Sequence, residues 1–149
     1  MDGIISYIIQ IISAGVGALG FSLVFNLGKR NLVSATLGGS LSWFVYLVCF
    51  NCGMGYFISA VICSAFCQIY SEGFARILKS PATVFYIPTI IPLVPGGALY
   101  YTMYYATRSD WVNFRSYGWQ TLQISLGIAV GASFVSALLL LLPRRIEKK

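Results

Sequence analysis

The residues best equipped for chemistry in this chain are helix breakers. Pro88, Pro92, Pro95, Gly96 and Gly97 fall within ten residues of the stretch FYIPTIIPLVPGGALYY, Phe85 to Tyr101. A proline lacks an N–H, and its ring clashes with the carbonyl four residues back. Carbonyls near Val84, Pro88 and Ile91 are therefore expected to lose their helical partners. Pro95 suits the first position of a new helix, after which Gly96, Gly97 and Ala98 would present free N–H groups. Unpaired carbonyls attract cations and ammonium groups, whereas a helix N-terminus attracts anions. A small zwitterion such as an α-amino acid carries both charges. Thr89, Pro92, Pro95, Gly96 and Gly97 form the candidate binding stretch, joined by Tyr100 and Tyr101, whose hydroxyls could face a pathway or simply pack. A packing kink with no ligand is the competing reading, and both stay open here.

Other chemistry is sparse. The chain has no histidine, and its apolar segments hold no carboxylate pair for acid–base work. An intramembrane enzyme is the poorest reading. Glu72 is the one acid inside an apolar segment and could carry a coupling proton. It also stands four residues before Arg76, the spacing of a helical ion pair. Asn26 closes the first segment, either as a cap or as a lining of the pathway. Cys49 and Cys52 have CxxC spacing, which could mark a redox pair or half a zinc site. With no second CxxC and no histidine, a four-ligand zinc site within the chain lacks ligands, so no metal and no cofactor are expected. Cys63 and Cys67, four apart, are expected to pack as small apolar side chains.

The elements that must position these residues are membrane spans. Of 149 residues, 58% are hydrophobic and 9% charged, against roughly 25% charged in a soluble domain. The apolar blocks run to about 20 residues, matching a hydrocarbon core of about 30 Å. No period-two alternation points to a β-barrel. The chain reads as one all-α integral membrane domain over 1–149 with about five spans. These run from about Ile4 to Leu27, Leu32 to Phe50, Tyr56 to Ile77, Pro81 to Thr107, and Trp119 to Leu142, the last stopping at Pro143. The midpoint of the fourth span falls near Val94, so its break is expected near the bilayer midplane. The second span carries Gly38 and Gly39 in its middle, and a re-entrant second segment is the alternative. The N-terminal block lacks a positive leading region and is too long for a signal peptide.

Charge sets the expected orientation. Five spans put Lys29, Arg30, Arg76, Lys79, Arg144, Arg145, Lys148 and Lys149 on one side, and Arg108 and Arg115 on the other. Basic residues favour the cytoplasmic side, which puts the N-terminus outside and the C-terminus inside. The net charge of +6 thus serves topology, and no nucleic-acid partner is expected. Gly127 and Gly131 form GxxxG in the fifth span, and Ser13 and Gly17 repeat the spacing in the first. Such positions let helix backbones approach closely in lipid. Tyr117 and Trp119 stand where an outer aromatic belt belongs, with Trp111 in the outer loop.

Three stretches carry a family resemblance: GFSLVFN (Gly20 to Asn26), ATLGGSLSW (Ala35 to Trp43) and SPATVFYIPTIIPLVPGGALYYTMYYA (Ser80 to Ala106). Together they resemble the threonine/serine exporter (ThrE) family, in particular its C-terminal or small-subunit half. The core from Ile91 to Gly96 is the most specific part. The resemblance covers roughly residues 14 to 107, and the fifth span matches in order and length. It implies a bacterial inner-membrane exporter of small amino acids or small organic acids. It also implies a larger partner subunit carrying the other half. A homo-oligomer, or a scaffold that only stabilises a partner in the bilayer, is the alternative.

Overall fold

The computed structural model describes residues 2–141, with side chains from Ile4 onward. Leu142, Pro143 and the basic C-terminal run lie outside the described residues. Six α-helices follow one another: α1 (Asp2–Val24), α2 (Lys29–Asn51), α3 (Gly55–Leu78), α4 (Ala82–Ile90), α5 (Gly96–Thr107) and α6 (Trp111–Leu141). A single 3₁₀ turn, Ile91–Leu93, follows α4. Four of the helices are individually long and apolar enough to cross a membrane. Ala82–Leu93 and Gly96–Thr107 form a fifth candidate span, bent by 48° at the break. The all-α membrane architecture with a broken fourth span follows.

Several boundaries differ from expectation: α1 ends at Val24 rather than Leu27, and α2 starts at Lys29 rather than Leu32. Pro81 is not the first helical residue; with φ −57° and ψ 139° it is the N-cap, and α4 starts at Ala82. Helix α6 starts at Trp111 rather than Trp119 because Asp110 caps it. The Asn113 backbone N–H donates to Asp110 Oδ1 at 3.2 Å, and the Asn113 amide donates to Oδ2 at 2.7 Å. At 31 residues and 1.5 Å per residue, α6 is about 46 Å long, more than a hydrocarbon core needs.

The helix ends repeat one device. Asn26 adopts φ 52°, Ser109 φ 57° and Gly53 φ 79°. At Asn26, the Leu27 N–H reaches back to the Ser22 carbonyl at 3.0 Å and the Asn26 N–H to the Leu23 carbonyl at 2.9 Å. The same paired bonds form at Ser109–Asp110 and Gly53–Met54. This left-handed closing turn pairs carbonyls that a helix C-terminus otherwise leaves free.

Helix α2 runs unbroken through Gly38 and Gly39, so the second segment is a full-length helix rather than a re-entrant one. A Cβ on Gly39 would collide with Ala18 of α1 and would lie 3.6 Å from the Pro88 carbonyl of α4. A Cβ on Gly38 would meet Thr89 and, at 2.7 Å, the Tyr70 ring. The glycine pair therefore lets α1, α3 and α4 approach one helix from different sides. Gly127 and Gly131 do the same for α6 on α3, meeting Phe57, Ala60, Val61 and Ser64. The expected close approach at Ser13 and Gly17 does not occur within this chain. Both are exposed, nothing lies within 4 Å of a Cβ at Gly17, and α1 instead buries Gly15, Ala18 and Ser22.

Candidate functional site at the broken fourth span

The break is built by three consecutive conformations. Pro88 sits inside α4, and the chain then tightens into the 3₁₀ turn, where Val94 N–H donates to the Ile91 carbonyl at 3.1 Å. Pro95, at φ −76° and ψ 53°, forms an inverse γ-turn, closed by Gly96 N–H on the Val94 carbonyl at 2.7 Å. Helix α5 then begins, with Leu99 N–H on the Pro95 carbonyl at 2.9 Å.

This geometry revises the inventory of free backbone groups. The Ile91 carbonyl is occupied by Val94, and the Gly96 N–H is spent in the γ-turn. The carbonyl that recruits outside donors is that of Thr89. It accepts from Ser42 Oγ of α2 at 2.8 Å and from the Cys67 thiol of α3 at 3.8 Å. Ser42 lies near the middle of α2, and Cys67 near the middle of α3. On the other side of the break, α5 has no side-chain cap. Its first-turn N–H groups at Gly97 and Ala98 are the ones that stay available.

The predicted residues divide into two groups. Thr89 is fully buried, and its Oγ1 has no hydrogen-bond partner. Leu93 is also buried, in a cluster with Tyr46, Cys63 and Cys67. Pro92 and Pro95 are half-buried, while Gly96, Gly97, Tyr100 and Tyr101 are exposed on this chain, with nothing within 4 Å of a Cβ at either glycine. Tyr100 and Tyr101 belong to an aromatic ladder. Tyr100 stacks on Tyr104 at 6.2 Å, and Tyr101 packs against Tyr117 at 5.2 Å. Arg108 closes the ladder, 4.5 Å above the Tyr104 ring. A groove of about 1090 Å³ between α5 and α6 is lined by Leu99, Thr102, Arg115, Trp119 and Leu122 among others. None of the predicted binding residues lines it.

Asn26 and Glu72 stand apart from the break. Asn26 is exposed and left-handed, the conformation of the capping reading. Glu72 is half-buried on α3, and among the described residues no ion pair within 4.0 Å joins it to Arg76. Cys63 and Cys67 are fully buried packing residues, Cys49 is buried, and Cys52 is exposed at the α2–α3 turn. Sequence reasoning missed Gly38 and Ser42 as neighbours of the break. The usable signal was the run GGSLS, Gly38 to Ser42, in the middle of an apolar segment: small residues at the depth where the fourth span is interrupted.

The family model for the threonine/serine exporter, ThrE, matches residues 10–138. The chain belongs to the threonine/serine exporter family. The match takes in the break and nearly all of α6, so it extends past the stretch in which the likeness is readable by eye. No solved structure matches the chain. For a ThrE-family member, apolar helices of membrane-spanning length fit a multi-pass membrane transporter.

Proposed function

We propose that this chain is the small subunit of a two-component exporter of small amino acids such as threonine and serine, or of small organic acids, with the solute bound at the broken fourth span near the bilayer midplane. One observation carries the reading. The break abuts the middles of α2 and α3, and beyond it α5 starts without a cap on an exposed face of this chain. An unpaired backbone N–H facing hydrocarbon costs several kcal/mol. That face needs a polar covering, which a partner subunit and an enclosed solute supply together. Gly97 and Ala98 N–H groups would hold a carboxylate, as helix N-termini do. Discontinuous helices are a common way to build such sites in transporters. The larger subunit would complete the cavity over Gly96, Gly97, Tyr100 and Tyr101, with the whole assembly in the bacterial inner membrane.

The test is reconstitution. Vesicles holding this chain alone should show little transport of labelled threonine, serine or dicarboxylates, and co-reconstitution with the larger subunit should restore it. Full activity from the lone chain would mean that it works as a homo-oligomer, and no transport from the pair would overturn the reading.

A further inference from the structure

We propose that Ser42 is the residue that positions the break, its single hydroxyl proton shared between the Thr89 carbonyl of the fourth span and the Gly39 carbonyl of its own helix. The inference rests on the reading of the break as the transport site and names what controls it. Ser42 is fully buried. Its Oγ lies 2.8 Å from the Thr89 carbonyl oxygen and also 2.8 Å from the Gly39 carbonyl oxygen. A serine hydroxyl has one proton to donate, so both bonds cannot be made fully at once.

The break itself creates the demand for that proton. In a 3₁₀ turn each N–H reaches three residues back rather than four, which directs the Leu93 N–H to Ile90 and leaves the Thr89 carbonyl without its α-helical partner. Ser42 fills the vacancy, with the Cys67 thiol as a distant second donor at 3.8 Å. Helix α2 can come this close because Gly38, one turn before Ser42, has no side chain. Thr89 Oγ1 occupies the space that a Cβ would take, and that hydroxyl has no partner of its own. Among the described residues, the hydrogen bond that links α2 to α4 at the break therefore depends on one shared proton, set within close packing of Gly38 on Thr89. With the proton on Thr89, the end of α4 is tied to the middle of α2. With the proton on Gly39, the Thr89 carbonyl keeps only the Cys67 thiol of α3, and the polar tie between α4 and α2 at the break is lost.

The experiment uses the two-subunit complex in lipid nanodiscs and in vesicles, with Ser42→Ala, Ser42→Cys and the control Ser59→Ala. Ser59 is also fully buried, and its hydroxyl has no partner. Amide exchange is read at Leu93, Val94 and Gly96, and labelled-threonine transport is resolved into maximal rate and half-saturation. Loss of one buried hydrogen bond should speed exchange at these amides roughly tenfold in Ser42→Ala. Maximal rate should change while half-saturation stays near wild type, and the weaker thiol donor of Ser42→Cys should recover part of both effects. Ser59→Ala should leave break exchange and rate unchanged. Unchanged exchange at the break in Ser42→Ala would overturn the proposal, whatever transport does. Faster exchange with wild-type rate and half-saturation would overturn it too, reducing Ser42 to a packing contact. If the wild-type complex moves no threonine, the transport reading fails by itself, and exchange alone decides whether Ser42 positions the break.

Discussion

At the scale of the residue, glycines with the same sequence spacing have opposite consequences. A Cβ on Gly131 would collide with the Val61 carbonyl and Ser64 Oγ, groups on the facing helix. Overpacking of this kind costs about 1–3 kcal/mol. Gly131→Ala should therefore lower the melting temperature of the detergent-extracted chain, while Gly17→Ala, in open space, should leave it unchanged or slightly raised. Equal losses in both variants would mean that the α3–α6 contact is not the one described. Asp110 offers a second test. The Asn113 side-chain amide, and then the Asn113 backbone N–H, hold its carboxyl below the ordinary value. A carboxyl lowered by folding stabilises the folded state above its unfolded pKa, and the effect is lost as pH falls through the folded pKa. Amide protection in the first turn of α6 should accordingly be constant from neutral pH down to the ordinary carboxylate range and decline below it. Asp110→Ala should abolish that pH dependence. Asp110 is only half-buried and its partners lie within the same turn, so the effect should be local to that turn.

At the scale of the element, the fourth span holds two opposing requirements. Alanine at Pro92 and Pro95 favours a continuous helix by up to about 3 kcal/mol per site. A straightened segment would, however, draw Leu93 out of its contacts with Tyr46 and Cys63 and give the Thr89 carbonyl back to its own helix. The transport reading predicts that Pro92→Ala/Pro95→Ala expresses, assembles and melts at or above the wild-type temperature but loses efflux, the trade expected where an irregular element serves function. The kink reading predicts that expression and melting temperature fall first. Measuring expression, melting temperature and efflux in the same membranes separates the two. A stable, assembled and fully active variant would show that the breakers serve no site.

At the scale of the whole molecule, orientation is the property to test, and the native cysteines allow it without mutation. Cys49, Cys63 and Cys67 are buried, while Cys52 is exposed at the α2–α3 turn. An outside N-terminus, inferred from the basic residues, puts that turn outside as well. A membrane-impermeant maleimide should therefore label intact cells at one thiol, and Cys52→Ser should remove the label. Labelling of Cys52 only after permeabilisation would invert the topology. The α5–α6 turn should follow Cys52, so that a cysteine at Asn113 is also labelled from outside. Position 147, the matching inside probe, lies beyond the described residues.

The sequence by itself determined the membrane class, the helical segments, most of their ends and the interruption at Pro92–Gly97, because each follows from local chemistry. Length and apolarity make spans, a missing N–H makes a break, and Asn26 can take a left-handed turn. It did not determine which faces meet. In lipid the outward and inward faces of a helix are both apolar, so no hydrophobic stripe marks the packed side. Ser13/Gly17 and Gly127/Gly131 have the same spacing, yet the first pair is exposed and the second is packed against α3. Gly38 and Gly39 read as a weak point in α2 and are instead its contact with α1, α3 and α4. The carbonyl that takes a side-chain donor belongs to Thr89, while that of Ile91 is occupied within the turn. Local hydrogen bonding in the 3₁₀ turn decides which group is released, and only the tertiary structure brings Ser42, 47 residues away in sequence, to meet it.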